Sequence, residues 1–226
     1  MEQEQDKIKI ISYNIHSGKN IWMVSQFNHI INFLKYENPD IIGIQEINEN
    51  VKRGFQVTEL KEKLNLETHF GPHVKIKGGY YGIATFSKYP IIEKKHIFLP
   101  SRNEQRGYID TIVLIGSRKV HIINTHLSLS NSERNIQLIQ LRDYINSLDS
   151  YFILLGDFNT SLAEIDYLLT DSAKSIKKEH LPTMMLYNKR IDYIFVSKCF
   201  KVISYNVRLV KMSDHYPVVV ELALNN

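Results

Sequence analysis

The 226-residue chain has one cysteine, one tryptophan, six prolines and ten glycines. A lone Cys199 cannot close an internal disulfide or, by itself, build a structural zinc site, so disulfide scaffolds are excluded. Prolines and glycines this sparse exclude collagen-like and low-complexity architectures. No apolar run nears the ~20 residues that span a bilayer, and even Tyr151–Leu155 stops at Gly156. Stable membrane insertion is therefore not expected. The segment Met1–Lys7 is polar and of mixed charge, without the basic-then-apolar order of a secretory signal, and the expected location is the cytoplasm. Charge of one sign is scarce too. Lys and Arg number 28 against 24 Asp and Glu, a formal +4 that permits nucleic acid without arguing for it.

With 43% hydrophobic and 23% charged residues, the chain is long enough to bury a sizeable core. No shift of composition and no repeat marks a boundary, so residues 8–226 read as a single domain behind a polar tail at 1–7. Strands are predicted at Ile8–Tyr13, Asp40–Ile44, Tyr81–Ser87, Ile91–Phe98, Tyr108–Ile115, Lys119–Asn124 and Tyr151–Leu155. Three more close the chain, at Ile191–Ser197, Phe200–Leu209 and Tyr216–Leu224. Helices are predicted at Val24–Tyr36, Thr58–Leu64 and Leu162–Leu169. Another, capped by Ser130 or Ser132, carries the stripe Leu138, Leu141, Ile145 and Leu148. His69 and His73 flank Gly71-Pro72, which predicts a loop, and Tyr80-Tyr81 reads as core or rim. Asp171–Lys189, with Lys174, Lys177 and Lys178, reads as a long polar connection able to border a groove. Many strands with a few interspersed helices predict an α/β (α+β) fold, two sheets face to face with helices outside.

A strand buried on both sides holds its terminal residue rigidly, so polar side chains just beyond apolar strands are informative. They are Asn14 in Ser-Tyr-Asn-Ile-His, Glu46 in Ile-Ile-Gly-Ile-Gln-Glu, His126 in Asn-Thr-His-Leu, Asp157 and Asn159 in Leu-Leu-Gly-Asp-Phe-Asn, and Asp214-His215 in Ser-Asp-His-Tyr-Pro-Val. Asp192, inside the apolar Arg-Ile-Asp-Tyr-Ile-Phe, requires a partner because an unpaired buried charge is costly. Taken singly, residues 156–159 read as a turn, Asp214-His215 as a loop cap and His126 as a satisfied core histidine. Together they suit one task, holding a hard divalent cation against a phosphate. Magnesium prefers oxygen ligands and takes one or two protein carboxylates, and Glu46 is the best candidate. His215, polarised by Asp192, suits a base toward water or a stabiliser of charge on phosphorus. His16-Ser17-Gly18-Lys19 lacks the upstream glycine and the ending of a phosphate loop, and reads as a turn.

The ordered set Tyr-Asn-Ile-His at 13–16, Gln-Glu at 45–46, Thr-His-Leu at 125–127, Gly-Asp-Phe-Asn at 156–159, Arg-Ile-Asp-Tyr-Ile at 190–194 and Ser-Asp-His at 213–215 resembles the endonuclease/exonuclease/phosphatase superfamily across nearly the whole chain. The resemblance implies a four-layered α/β sandwich of two mostly antiparallel sheets and divalent-metal-dependent hydrolysis of phosphoesters. By position it implies Glu46 as the principal Mg2+ ligand, Asn14 beside it and Asp214 as a further metal contact, with Mn2+ as the alternative ion. Asp157 and Asn159 match the pair that orients the attacking water and the scissile phosphate. His215 matches the family's invariant histidine, paired with Asp192, and His126 resembles the second catalytic histidine of the deoxyribonuclease and sphingomyelinase branches. Arg106, in Gln-Arg-Gly-Tyr, is similar to a phosphate-contacting arginine, and Asn14 and Asn159 complete the substrate contacts.

Some branches fit less well. The only tryptophan, Trp22, falls in the early helix rather than in a Trp-rich C-terminal segment, which disfavours the abasic-site repair members. Secreted sphingomyelinase-like members have export signals and exposed apolar hairpins for membrane docking, and this sequence shows neither, which disfavours that branch as well. The leading expectation is a monomeric, Mg2+-dependent phosphodiesterase, nuclease-like on DNA or RNA. The alternatives are a phosphodiesterase or phosphatase for a phospholipid headgroup, inositol phosphate or small phosphodiester, a zinc hydrolase using His126 and His215, and a non-catalytic scaffold binding phosphorylated ligands.

Overall fold

Successive residues of a strand face opposite ways, and in this chain both faces are apolar. A computed structural model describes residues 7–148, 151–161 and 169–225. Its first half runs β1 (Lys7–Asn14), α1 (Phe27–Glu37), β2 (Ile41–Asn50), β3 (Gly54–Phe55), α2 (Gln56–Leu64), β4 (Glu67–Ile76) and β5 (Gly79–Ser87). The second half runs β6 (Ile91–Leu99), β7 (Arg106–Ile115), β8 (Arg118–His126), α3 (Asn131–Asn146), β9 (Tyr151–Asp157), β10 (Thr170–Asp171), β11 (Asp192–Val196), β12 (Phe200–Val207) and β13 (Val218–Leu224). One sheet has the order β12-β13-β1-β2-β5-β4 with β3 against β2, and the other β10-β11-β9-β8-β7-β6. Only β1 with β2 and β8 with β9 pair in parallel among the described strands.

The alternation builds the layers. Ile10, Ile41, Ile122 and Leu155 meet between the sheets in one buried cluster. Their neighbours Ile11 and Ile42 turn outward to Ile30 and Leu34 of α1, and Ile123 and Leu154 turn outward to Leu141 and Ile145 of α3. The result is the expected sandwich, helices outside two mostly antiparallel sheets.

Several local readings change. Helix α1 starts at Phe27, so Trp22 lies ahead of it, in a turn where the Asn20 side chain accepts the N–H groups of Trp22 and Val24. An Asn side chain that satisfies nearby backbone donors competes with helix formation. Ser130 precedes α3 but its hydroxyl meets that of Ser132 and caps no backbone N–H. The loop predicted around His69 and His73 is instead β4. Pro72 is tolerated there because β4 is an edge strand and its register shifts between Pro72 and Val74. Burial then pushes the pKa of His69 down to about 4 and that of His73 down to about 3, keeping both rings neutral. Lys7 opens β1 opposite Ala223. In the 171–189 connection, Lys178 Nζ donates to the Tyr205 carbonyl of β12 at 2.7 Å. The predicted helix at 162–169 falls on residues 162–168, outside the described ones.

Gly156 shows how tightly β9 is placed. Its φ is +144°, and an added Cβ would lie 2.0 Å from the Thr125 carbonyl oxygen of β8. Gly156→Ala is expected to destabilise the protein by about 3 kcal/mol through overpacking and backbone strain. Urea unfolding measures this, and an unchanged midpoint with an unchanged m value would refute it.

Candidate active site

Strand ends set out the site. His126 closes β8 in register with Asp157, which closes β9, and Asp157 pairs with Asp192, which opens β11. Asp192 therefore stands at a strand end rather than inside the strand. In the other sheet Asn14 closes β1 opposite Gln45 of β2. Glu46 is different, because β2 runs on to Asn50. Ile44 pairs with Ala84 and Ile47 with Gly82, so Gln45 and Glu46 together oppose Ile83 in a bulge. Glu46 takes a left-handed backbone, φ 59°, a conformation that costs a side-chain-bearing residue about 1–3 kcal/mol.

The opposite sheet holds that bulge. Asn124 of β8 donates Nδ2 to the carbonyls of Ile44 and Ala84 at 3.2 and 2.9 Å, and its Oδ1 accepts Gln45 Nε2 at 2.8 Å. Sequence reasoning passed over Asn124, although a buried carboxamide in the apolar run Val-His-Ile-Ile-Asn was the available signal. Tyr81, read only as core or rim, lines the same cleft as Glu46, and burial and that carboxylate push its pKa well up.

One network joins most of the predicted residues. Asn14 Nδ2 donates to Glu46 Oε1 at 3.1 Å and to Asp157 Oδ2 at 3.0 Å, while its Oδ1 accepts the His16 N–H at 3.0 Å. Asp157 Oδ2 stands 3.5 Å from His126 Nε2 and 3.7 Å from His215 Nε2. Asp157 Oδ1 accepts the Asn159 N–H at 2.9 Å, and Asn159 Nδ2 donates to the Leu127 carbonyl. His215 Nδ1 lies 2.9 Å from Asp192 Oδ2, so Asp192 has the partner its burial demands. The His215 loop is anchored by Ser213 Oγ, which donates to the Asn14 carbonyl at 2.8 Å, and by a β-bridge to Met184. Asp214 sits at the margin, its Oδ1 3.7 Å from His16 Nδ1. Arg106 is buried behind His126. Its Nη1 donates to His126 Nδ1 at 2.9 Å and to Glu104 at 2.7 Å.

Charge sorts these groups into roles. Burial, reinforced by Arg106, His73 and His215, pushes the His126 pKa far down. Because Nδ1 accepts from Arg106, the neutral ring carries its proton on Nε2, facing Asp157. Burial raises the Asp157 pKa and Asp192 adds to it, against the pull of His215 and of the Asn159 and Asn14 donors. Burial would lower His215, but Asp192 and then Asp157 outweigh it and hold its pKa up. His215 is thus a fixed cation, His126 a neutral donor, and Asp157 a carboxylate of raised proton affinity.

Ligand atoms of Asp157, Asp192 and His215 lie within 4.8 Å of one another. The 2.9 Å bond to Asp192 places a proton between that pair, so the better cation position is at Glu46. Its carboxylate opens on a cleft of about 440 Å³ also lined by His16, Lys19, Arg53 and Tyr81. Glu46 and Asp157, joined by the Asn14 amide, with Asp214 at the margin, offer oxygen donors, and an oxygen donor set fits a hard divalent ion.

The chain resembles known proteins at the level of fold and motif. It is 25% identical over 194 residues to sphingomyelinase C of Bacillus cereus, covering 70% of this chain and 58% of that protein. It therefore spans less than two thirds of that relative's length. A solved endonuclease/exonuclease/phosphatase structure from Beutenbergia cavernae superposes with a TM-score of 0.82 at 23% identity, over 97% of this chain and 72% of that one. A mannosyl-6-phosphatase from Bacteroides thetaiotaomicron superposes with a TM-score of 0.79 at 20% identity, over 96% of this chain and 100% of that one. The model of the Endonuclease/Exonuclease/phosphatase family matches residues 11–215, which include every site residue above, and the chain belongs to that family.

Proposed function

We propose that this protein is a divalent-metal-dependent phosphodiesterase in which water attacks phosphorus in line. The observation that carries the reading is the Asn14 amide, which joins the Glu46 and Asp157 carboxylates in front of two histidines. Glu46, with Asn14 beside it and Asp214 at the margin, would hold Mg2+ or Mn2+. Bound there, the ion supplies charge neutralisation to phosphate oxygens and the leaving group.

The remaining work falls to the chain. Asp157, oriented by the Asn159 N–H and by Asn14, takes the proton of the attacking water, and its raised proton affinity suits a base at neutral pH. His215 is held protonated by Asp192, which favours charge stabilisation over the base role. His126 offers Nε2–H to a phosphate oxygen, and Arg106 fixes its tautomer. Asn159 and Asn14 align the substrate.

A nucleic-acid substrate rests on the net charge of +4. A phospholipid headgroup has a specific observation behind it, the exposed apolar turn at Trp22–Val24 beside the cleft. The test is a panel of bis-p-nitrophenyl phosphate, plasmid DNA, RNA and phospholipid vesicles, each with magnesium, manganese, zinc or chelator. Hydrolysis restored by magnesium or manganese is expected for at least one. Binding without turnover on the whole panel would select the scaffold reading, and activity restored by zinc alone the zinc hydrolase.

A further inference from the structure

Large exposed apolar side chains standing singly are ordinary on protein surfaces. Trp22, Met23 and Val24 are consecutive and 66, 59 and 55% exposed. Their turn is built rather than slack. Asn20 Oδ1 accepts the N–H groups of Trp22 and Val24 at 3.1 and 3.0 Å, and the Asn20 N–H donates to the Val24 carbonyl. The Met23 N–H donates to the Asn20 carbonyl, Lys19 pairs with Ser25, and Met23 accepts a left-handed φ of 61°. Four backbone N–H groups, of Asn20, Trp22, Met23 and Val24, are thus satisfied inside the turn while three apolar side chains are exposed.

A second tip borders the same cleft. Gln56 Nε2 donates to the Ser17 carbonyl at 2.9 Å, tying the base of the first turn to the start of α2. Just before Gln56, the hairpin from β2 to β3 carries Val51 and Phe55, both exposed, around Lys52 and Arg53. Met23 from one tip and Arg53 from the other line the cleft that Glu46 opens on, as does Lys19. Among the described residues no ion pair engages Lys19, Lys52 or Arg53.

We propose that these two tips seat the protein on an anionic phospholipid surface, so that the cleft receives a phosphoester presented by a bilayer. The substrate part of this inference rests on the phosphodiesterase reading; the docking part does not. Charge complementarity favours this occupant. Tryptophan suits the headgroup layer, short apolar side chains suit the acyl boundary, and unpaired cations beside them suit anionic lipid phosphates. A nucleic acid would engage the cations and stack on Trp22 but leave Met23 and Val24 in water.

Trp22 is the only tryptophan of the chain, so intrinsic emission reports directly on the turn. The full chain, kept in chelator to prevent turnover, is titrated with vesicles of phosphatidylcholine alone or mixed with phosphatidylserine. A blue shift and co-sedimentation with the mixed vesicles are expected, both weakened by salt. The V24S/V51S double variant, which keeps Trp22 and the cleft lining, is expected to bind them about tenfold more weakly. Unshifted emission with the protein left in the supernatant would overturn the proposal. So would quenching by a single-stranded oligonucleotide with no response to vesicles. Because binding is read without catalysis, its failure leaves the phosphodiesterase reading intact, while vesicle binding by a protein inactive on every substrate would sink that reading alone.

Discussion

Glu46→Gln will lower kcat/KM on the best substrate of the panel by about a thousandfold or more, the loss of several kcal/mol of charge stabilisation that a bound cation supplies. Glutamine nearly matches glutamate in size and keeps an oxygen that can accept from Asn14 Nδ2, now at 3.1 Å from Glu46 Oε1. The bulge that presents residue 46 is held by Asn124 and by backbone carbonyls, none of which involves the Glu46 side chain. The fold should therefore survive, and only the anionic charge facing the cleft is lost. Two measurements separate the causes: magnesium affinity by calorimetry, expected to fall sharply, and the urea midpoint, expected to hold. Near-normal turnover with normal magnesium affinity would remove Glu46 from the metal site.

The layers of the fold were legible because runs such as Ile10-Ile11 and Ile41-Ile42 are apolar on both faces, which a strand between two packed layers demands. Asn14, His126 and Asp157 stood out in the sequence because each is a polar side chain at the end of an apolar run, and each is the last residue of a buried strand. The rest depended on pairing between distant segments. Sequence gives no sign that β2 continues past Glu46, since its bulge is secured by Asn124, 80 residues from Ile44 and on the other sheet. Gly71-Pro72 reads as a break, and only its place on a sheet edge lets the strand pass through it. Val24 reads as the start of a helix, because the apolar spacing that runs into Phe27 does not reveal that Asn20 has already closed a turn through Val24. The six motifs conveyed the gathering of the site through family order. The register of His126, Asp157 and Asp192 across three strands is its physical cause.

His215→Gln will reduce kcat by about a hundredfold to a thousandfold while changing KM little, the pattern expected when a donor acts mainly in the transition state. The imidazolium lies with Nε2 3.7 Å from Asp157 and Nδ1 2.9 Å from Asp192, facing the position where phosphate charge would grow. Glutamine can still donate a hydrogen bond but carries no charge. It also leaves two buried carboxylates short of their cation, a destabilising change, so activity belongs on protein shown folded by circular dichroism. Asp192→Asn tests how the pair works, since Asp192 is argued to act only by holding His215 charged and oriented. If so, the double variant D192N/H215Q will be no slower than H215Q alone, because the first substitution has nothing left to act through. Losses that multiply would mean that Asp192 works independently of the histidine, and an H215Q enzyme with near-normal kcat would mean that the charge beside Asp157 is structural.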